Sequence, residues 1–197
     1  MNELDCLLAG VGGQGTVLAS RLIAQAAMDK GLFTRTAETI GMAQRGGCVV
    51  SHVRVGERAR NGSPLIPLGR AEVILGFEPG EAVRALPYLK EGGTVVAAAK
   101  AILPITASLG GTAYDGGAMV EYLRGLPVKL ILVDGEAVCR ACGSSKVLNV
   151  ALLGAAAASG ALGLTLEEME ATVAARVPER YLEMNRKALA LGGASAG

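Results

Sequence analysis

Aromatic side chains are scarce in this sequence: four Tyr and two Phe stand among 197 residues, and Trp is absent. Single-strand nucleic-acid modules, which stack bases on aromatic platforms, are thereby excluded. The core must be filled by Ala, Leu, Val and Ile. An excess of charge of either sign is also missing, since 19 Lys+Arg against 18 Asp+Glu leave a formal charge of +1. There is no global electrostatic attraction to phosphate backbones or anionic lipid, so neither nucleic acid nor membrane is an expected partner. The four cysteines, Cys6, Cys48, Cys139 and Cys142, are too few and too scattered for a secreted disulfide framework. Met1 to Asp5 holds two acids and no basic segment ahead of an apolar run. Neither a secretory signal nor a transit peptide is expected, and a cytoplasmic location follows.

Hydrophobic residues make up 51% and charged ones 19%, far from the composition of disordered chains. Against a prior of roughly 150 residues per domain, the length points to one domain. Gly is abundant, 28 residues with no period of three, which implies many tight turns. The longest apolar stretch, Val147 to Leu164, approaches a membrane span in length but contains Asn149, Ser159 and three Gly in an Ala-rich background. It reads as a buried helix.

Short apolar runs predict strands at Leu4 to Ala9, Leu32 to Thr36, Cys48 to Val55, Glu72 to Phe77, Thr94 to Ala99 and Lys129 to Val133. Helical spacing follows at Thr16 to Lys30, Pro79 to Lys90, Lys146 to about Ala161, Thr165 to Arg176 and Pro178 to about Leu191. Gly92-Gly93 is expected to end the crossover before the fifth strand. Residues 37–47 and 56–67 read as loops. This alternation predicts an α/β fold: a single three-layer domain over residues 1–191, with a mostly parallel, Rossmann-like sheet and helices on both faces, then a frayed tail at 192–197.

Gly10, Gly12 and Gly15 satisfy GxGxxG between a strand and a helix, the setting in which backbone amides approach a pyrophosphate. The acid expected on a ribose hydroxyl has one candidate, Glu38. A stand-alone NAD(P)-binding oxidoreductase or sensor domain is therefore one reading, and a glycine turn that serves only close packing is the other. His52 is the only histidine. Its neighbour Ser51 points to the opposite strand face, so the two do not form a nucleophile and base, and His52 reads as a structural or interface residue. No catalytic residue is assigned in this chain. Cys139 and Cys142 have CxxC spacing without a second pair, so no metal site is expected. Asp134, past the end of a strand, reads as a turn residue. The most distinctive segment runs from Thr39 to Val55, where a loop holding Gln44, Arg45, Gly46 and Gly47 leads straight into a strand. Such loops usually serve a contact.

Three blocks carry a family resemblance: Gly12-Gly13-Gln14-Gly15, then Met42 to Gly47 with Ser51-His52-Val53-Arg54, and the helix from Asn149 to Gly154. The chain resembles the gamma-type part of 2-oxoacid:ferredoxin oxidoreductases, and within it the small beta subunit of the indolepyruvate branch. The resemblance implies oxidative decarboxylation of an aryl 2-oxoacid, with coenzyme A and ferredoxin as co-substrates reached through a complex. It implies no cofactor in this chain. Thiamine diphosphate, magnesium and iron–sulfur clusters are expected in a larger alpha subunit, because this sequence has neither a GDG block with a downstream Asn nor a ferredoxin-like run of cysteines. Gly12, Gly13, Gln14, Gly15, Gln44, Arg45, Gly46, Gly47, Ser51, His52 and Asn149 are the family-motif and interface candidates.

Overall fold

The computed structural model describes residues 3–40, 47–101 and 114–197. Its centre is a six-stranded sheet of order β2-β3-β1-β4-β5-β6. The strands are β1 (Leu4–Val11), β2 (Thr34–Ile40), β3 (Cys48–Val55), β4 (Ala71–Gly76), β5 (Leu89–Ala98) and β6 (Lys129–Val133). β1, β4, β5 and β6 run parallel. β3 is antiparallel to both neighbours, so β2 and β3 form a hairpin laid against β1. Helices are α1 (Thr16–Asp29), α2 (Glu57–Asn61), α3 (Pro79–Ala85), α4 (Gly116–Arg124), α5 (Gly135–Cys142), α6 (Leu148–Ala158), α7 (Leu166–Arg176) and α8 (Leu182–Gly193).

Successive strand residues alternate between two hydrophobic layers. Cys6, Leu8, Val53, Val73, Leu75 and Val96 pack with α1, α6, α7 and α8 on one side. Leu7, Ala9, Ile74, Val95 and Ala97 pack with α3 and Leu123 of α4 on the other. α6 sits inside the first layer, buried along its length except at its first and last residues. At about 16 Å it covers half of a ~30 Å bilayer core. Among the described residues no helix is long and apolar enough to cross a membrane. α6 meets α8 at backbone distance, because a Cβ on Gly154 would lie 2.0 Å from the Leu189 carbonyl oxygen.

Several boundaries differ from the sequence reading. β2 lies two residues later than expected and runs on to Ile40. The helix expected over 79–90 is α3 plus a 3-10 turn at Leu86–Tyr88, cut short by Pro87, whose nitrogen cannot continue the hydrogen-bond ladder. Gly92-Gly93 falls within β5, at a shift in its register with β4. Helices α4 and α5 were not expected. Asp115 and Asp134 cap them, accepting from the amides of Ala118 and Ala137. Residues expected to fray carry α8 to Gly193 and a 3-10 turn at Ala194–Ala196, with Ala196 against the core.

Candidate functional site

Chain order and strand order disagree at β1. The chain leaves β1 for the hairpin on one side and resumes with β4 on the other. A crevice at the carboxyl ends of β1 and β4 is where open α/β sheets receive ligands and partners. The Gly12–Gly15 loop closes it. The Gln14 side chain accepts a hydrogen bond from the Val11 amide at 2.6 Å and donates one to the Phe77 carbonyl at 2.8 Å, stapling the two strand ends. Gly12 donates to the carbonyl of Gly47 at 2.9 Å, which holds the base of the hairpin beside the loop. Gly15 adopts φ +83, and a Cβ there would lie 2.6 Å from the Asn149 amide nitrogen. The glycine is required both by its left-handed backbone and by Asn149, whose position is set by burial at the start of α6.

This geometry decides the role of Glu38. It is exposed on β2, cross-strand from Ser51 of β3, which in turn faces Leu8 of β1. Two strand spacings, roughly 10 Å, separate β2 from β1, whereas a ribose-binding acid needs the neighbouring strand. Glu38, the acid the sequence offered, is therefore not on a strand beside the glycine loop.

The Ser51 to Arg54 block divides between the two sheet faces. His52 is 4% exposed, accepts from the Ile66 amide through Nδ1 at 3.1 Å and meets the Tyr88 ring edge-on. Burial, with the Arg54 charge nearby, lowers its pKa and keeps it neutral. With Nδ1 accepting, the ring proton is assigned to Nε2. Arg54 is 7% exposed and forms a two-point ion pair with Asp5, 2.8 and 3.2 Å, while its third nitrogen donates to the Ser63 carbonyl at 2.7 Å. His52 and Arg54 thus pin the segment after α2 to the sheet. Ser51 Oγ is buried on the α1 side and has no hydrogen-bond partner among the described residues. Gln44, Arg45 and Gly46 lie outside the described residues. Of the sequence-derived candidates, Gly12, Gly13, Gln14, Gly15, Gly47 and Asn149 come together at the carboxyl edge, and Ser51 and His52 do not join them.

A polar cluster on the same edge went unread in the sequence. Glu78, 3% exposed, caps α3 by accepting from the Glu81 amide at 3.0 Å. The Tyr114 hydroxyl donates to Glu78 and accepts from the Gly80 amide at 3.0 Å. Burial and the Glu78 carboxylate push the Tyr114 phenol well up. Glu81 takes the Cys48 thiol and the Arg84 guanidinium, and burial together with that carboxylate raises the Cys48 thiol to about 11. The local signal was Glu-Pro-Gly-Glu directly after a strand, an N-cap with Pro at the first helical position. Cys139 and Cys142 lie one turn apart on α5, half-buried against the core. They close the carboxyl end of the helix, where the dipole disfavours a thiolate, and burial raises the Cys139 thiol. Among the described residues no three His, Cys, Asp or Glu side chains gather as metal ligands.

The sequence profile of the family described as pyruvate ferredoxin/flavodoxin oxidoreductase matches residues 5–195. The chain is 35% identical over 196 residues to indolepyruvate oxidoreductase subunit IorB of Thermococcus kodakarensis, covering 98% of this chain and 95% of that one. It is 27% identical over 179 residues to the pyruvate/ketoisovalerate oxidoreductases common subunit gamma of Pyrococcus abyssi, covering 91% and 89%. Its fold matches the crystal structure of the gamma subunit of a keto/oxoacid ferredoxin oxidoreductase from Geobacter sulfurreducens, with a TM-score of 0.70, 24% identity and 98% of each chain covered.

Proposed function

Because the chain belongs to the pyruvate ferredoxin/flavodoxin oxidoreductase family, we propose that it is the small subunit of an indolepyruvate or related arylpyruvate ferredoxin oxidoreductase, inactive alone. The observation that carries the substrate class is the difference between relatives. Identity to an indolepyruvate oxidoreductase subunit is 35% over nearly the full length of both chains, against 27% for a subunit shared by pyruvate and ketoisovalerate enzymes. The partner is a larger alpha subunit holding thiamine diphosphate, magnesium and iron–sulfur clusters, which supply carbanion stabilisation and single-electron acceptance. Coenzyme A and ferredoxin are met through that complex.

In this reading the carboxyl edge is the working face. The Gly12–Gly15 loop, Gly47 and the segment holding Gln44, Arg45 and Gly46 face the large subunit, with Gln14 fixing the loop's shape and Arg45 pairing with a carboxylate or phosphate. His52 and Arg54 act behind that face by holding the hairpin and the segment after it. Glu38, two strands from the glycine loop, argues against the nicotinamide alternative.

The test is anaerobic purification of the native polypeptide with mass and cofactor analysis of what co-elutes. A stoichiometric larger chain carrying thiamine diphosphate and iron–sulfur, with ferredoxin reduction on indolepyruvate, is the expected result. Elution alone, or with a bound nicotinamide dinucleotide, overturns the proposal. An Arg45→Ala enzyme with unchanged assembly and unchanged coenzyme A and oxoacid kinetics refutes the role given to Arg45.

A further inference from the structure

The turn Phe77–Glu81, which joins β4 to α3, is hydrogen-bonded to three separate chain segments at the carboxyl edge. Phe77 donates to the Ala9 carbonyl at 2.8 Å and accepts from the Gln14 side chain, which ties the turn to β1 and to the glycine loop. Glu81, 8% exposed, accepts from the Cys48 thiol and so holds the residue next to Gly47. Glu78 accepts from the Tyr114 hydroxyl, and the Gly80 amide donates to it at 3.0 Å. Tyr114 stands two residues before α4, whose first residue lies against the chain just past β5: a Cβ on Gly116 would be 2.0 Å from the Cβ of Ala101. One turn therefore fixes the glycine loop, the start of β3 and the entry to α4 relative to one another.

Gly80 shows that the Tyr114 contact is favoured over the stability of the helix. It is the second residue of α3, and its backbone is not left-handed, so the conformation itself does not call for Gly. Helix propensity favours Ala there, because Gly loses more backbone freedom on folding. What excludes a side chain is the phenol: a Cβ at residue 80 would lie 2.7 Å from the Tyr114 oxygen and 3.1 Å from a Glu78 oxygen. Glu78 is buried and held by the Glu81 amide, whereas Tyr114 is half-buried, so Tyr114 is the group that would have to move. A local preference overridden in this way, to seat one hydroxyl, marks a functional arrangement more often than a packing one.

We infer that Glu78, Gly80 and Glu81 are positioning residues of the interface with the large subunit, holding Tyr114 and Cys48 in the arrangement that subunit meets. The inference rests on the subunit reading above and adds to it the residues that shape the working face. An edge already ordered in the free chain binds without the entropy cost of ordering it on contact.

Gly80→Ala separates positioning from stability, because it improves the helix while displacing the phenol. Amide 80 lies in the first turn, where no carbonyl of the helix reaches it, so its hydrogen exchange reports the Tyr114 contact alone. In the full-length chain the variant should exchange this amide faster than the parent does, with an unfolding temperature equal to the parent's or higher. Its affinity for the larger chain that co-purifies, read by titration calorimetry, should fall about tenfold, the cost of ordering a few side chains on binding. Tyr114→Phe should lose the same protection and the same affinity. Cys48→Ala should also weaken binding, and Cys48→Ser, which keeps a donor towards Glu81, should restore it. Parental affinity in Gly80→Ala and Tyr114→Phe overturns the inference, and so does a loss of affinity in Gly80→Ala that comes with a lowered unfolding temperature. Unchanged exchange of amide 80 in Tyr114→Phe overturns it as well. A parent chain that binds no larger chain overturns the subunit reading itself, and this inference with it.

Discussion

Gln14 offers a direct test of how the carboxyl edge is built, because its amide uses one donor and one acceptor at once. Gln14→Glu keeps the shape and the acceptor towards the Val11 amide but, when ionised, turns an oxygen towards the Phe77 carbonyl. One hydrogen bond is lost, about 1 kcal/mol, and the carbonyl of the buried Phe77 is left unpaired, another 1–2 kcal/mol or so. A deficit of about 2–3 kcal/mol corresponds to a fall of roughly 4–12 °C in unfolding temperature for a chain of this length. When protonated, the introduced carboxyl donates to Phe77 and accepts from Val11, repeating the original pair. Its folded pKa is therefore raised above the unfolded value of about 4.3, and the folded state holds more protons between the two. Stability falls as pH rises through that window: the variant approaches the parent below about pH 4 and shows the full deficit above its raised folded pKa. Thermal unfolding of parent and variant side by side from pH 4 to 8 reads both the size and the sign. A variant equal to the parent at pH 8, or a deficit that does not change with pH, would refute the staple.

His52 is held neutral with its folded pKa below the ordinary imidazole value, so the unfolded chain takes up the proton first. Its contribution to stability is complete above about pH 6.5 and declines as pH falls through that value; His52→Gln, which still accepts from Ile66, should flatten the unfolding temperature between pH 5 and 7. Arg54→Met leaves the Asp5 carboxylate, 1% exposed, with only the Arg58 guanidinium at 3.8 Å and should cost up to about 3–5 kcal/mol in urea unfolding. Adding Asp5→Leu should return most of that loss, and a double variant as unstable as the single one contradicts the pairing. Gly15→Ala combines a left-handed backbone with a contact on Asn149 and should lose at least about 1–2 kcal/mol by the same measurement.

The strands were legible because a sheet covered on both faces needs continuous apolar runs, and Cys6–Val11 and Val73–Gly76 are such runs within β1 and β4. Their order was not. Nothing in the alternation of Cys48–Val55 distinguishes a parallel strand from the inner arm of a hairpin, and that one difference moves Glu38 a full strand away from the glycine loop. Helices α4 and α5 were passed over because Gly opens the first turn of each, where propensity is lowest, while the signal that sets them is the preceding Asp.

Within the site, contacts close in sequence could be read and distant ones could not. The spacing of Gly12 and Gly15 announced a loop, yet the residue that gives the loop its purpose is Gln14, through a carbonyl 63 positions away. Glu78 and Tyr114 meet across 36 residues, and Arg54 meets Asp5 across 49. These separations explain why the segment from Thr39 to Val55 is so distinctive as a pattern and so divided in purpose. Gly47 holds the base of the hairpin to the glycine loop, whereas His52 and Arg54 point away from the edge and hold the Ser63–Ile66 segment. The pattern carries both demands, since losing one partner of a buried ion pair is costly. The two are separated only by asking which way each side chain faces on β3. That criterion leaves the Gly12–Gly15 loop, Gly47 and Asn149 as the described candidates for the proposed working edge.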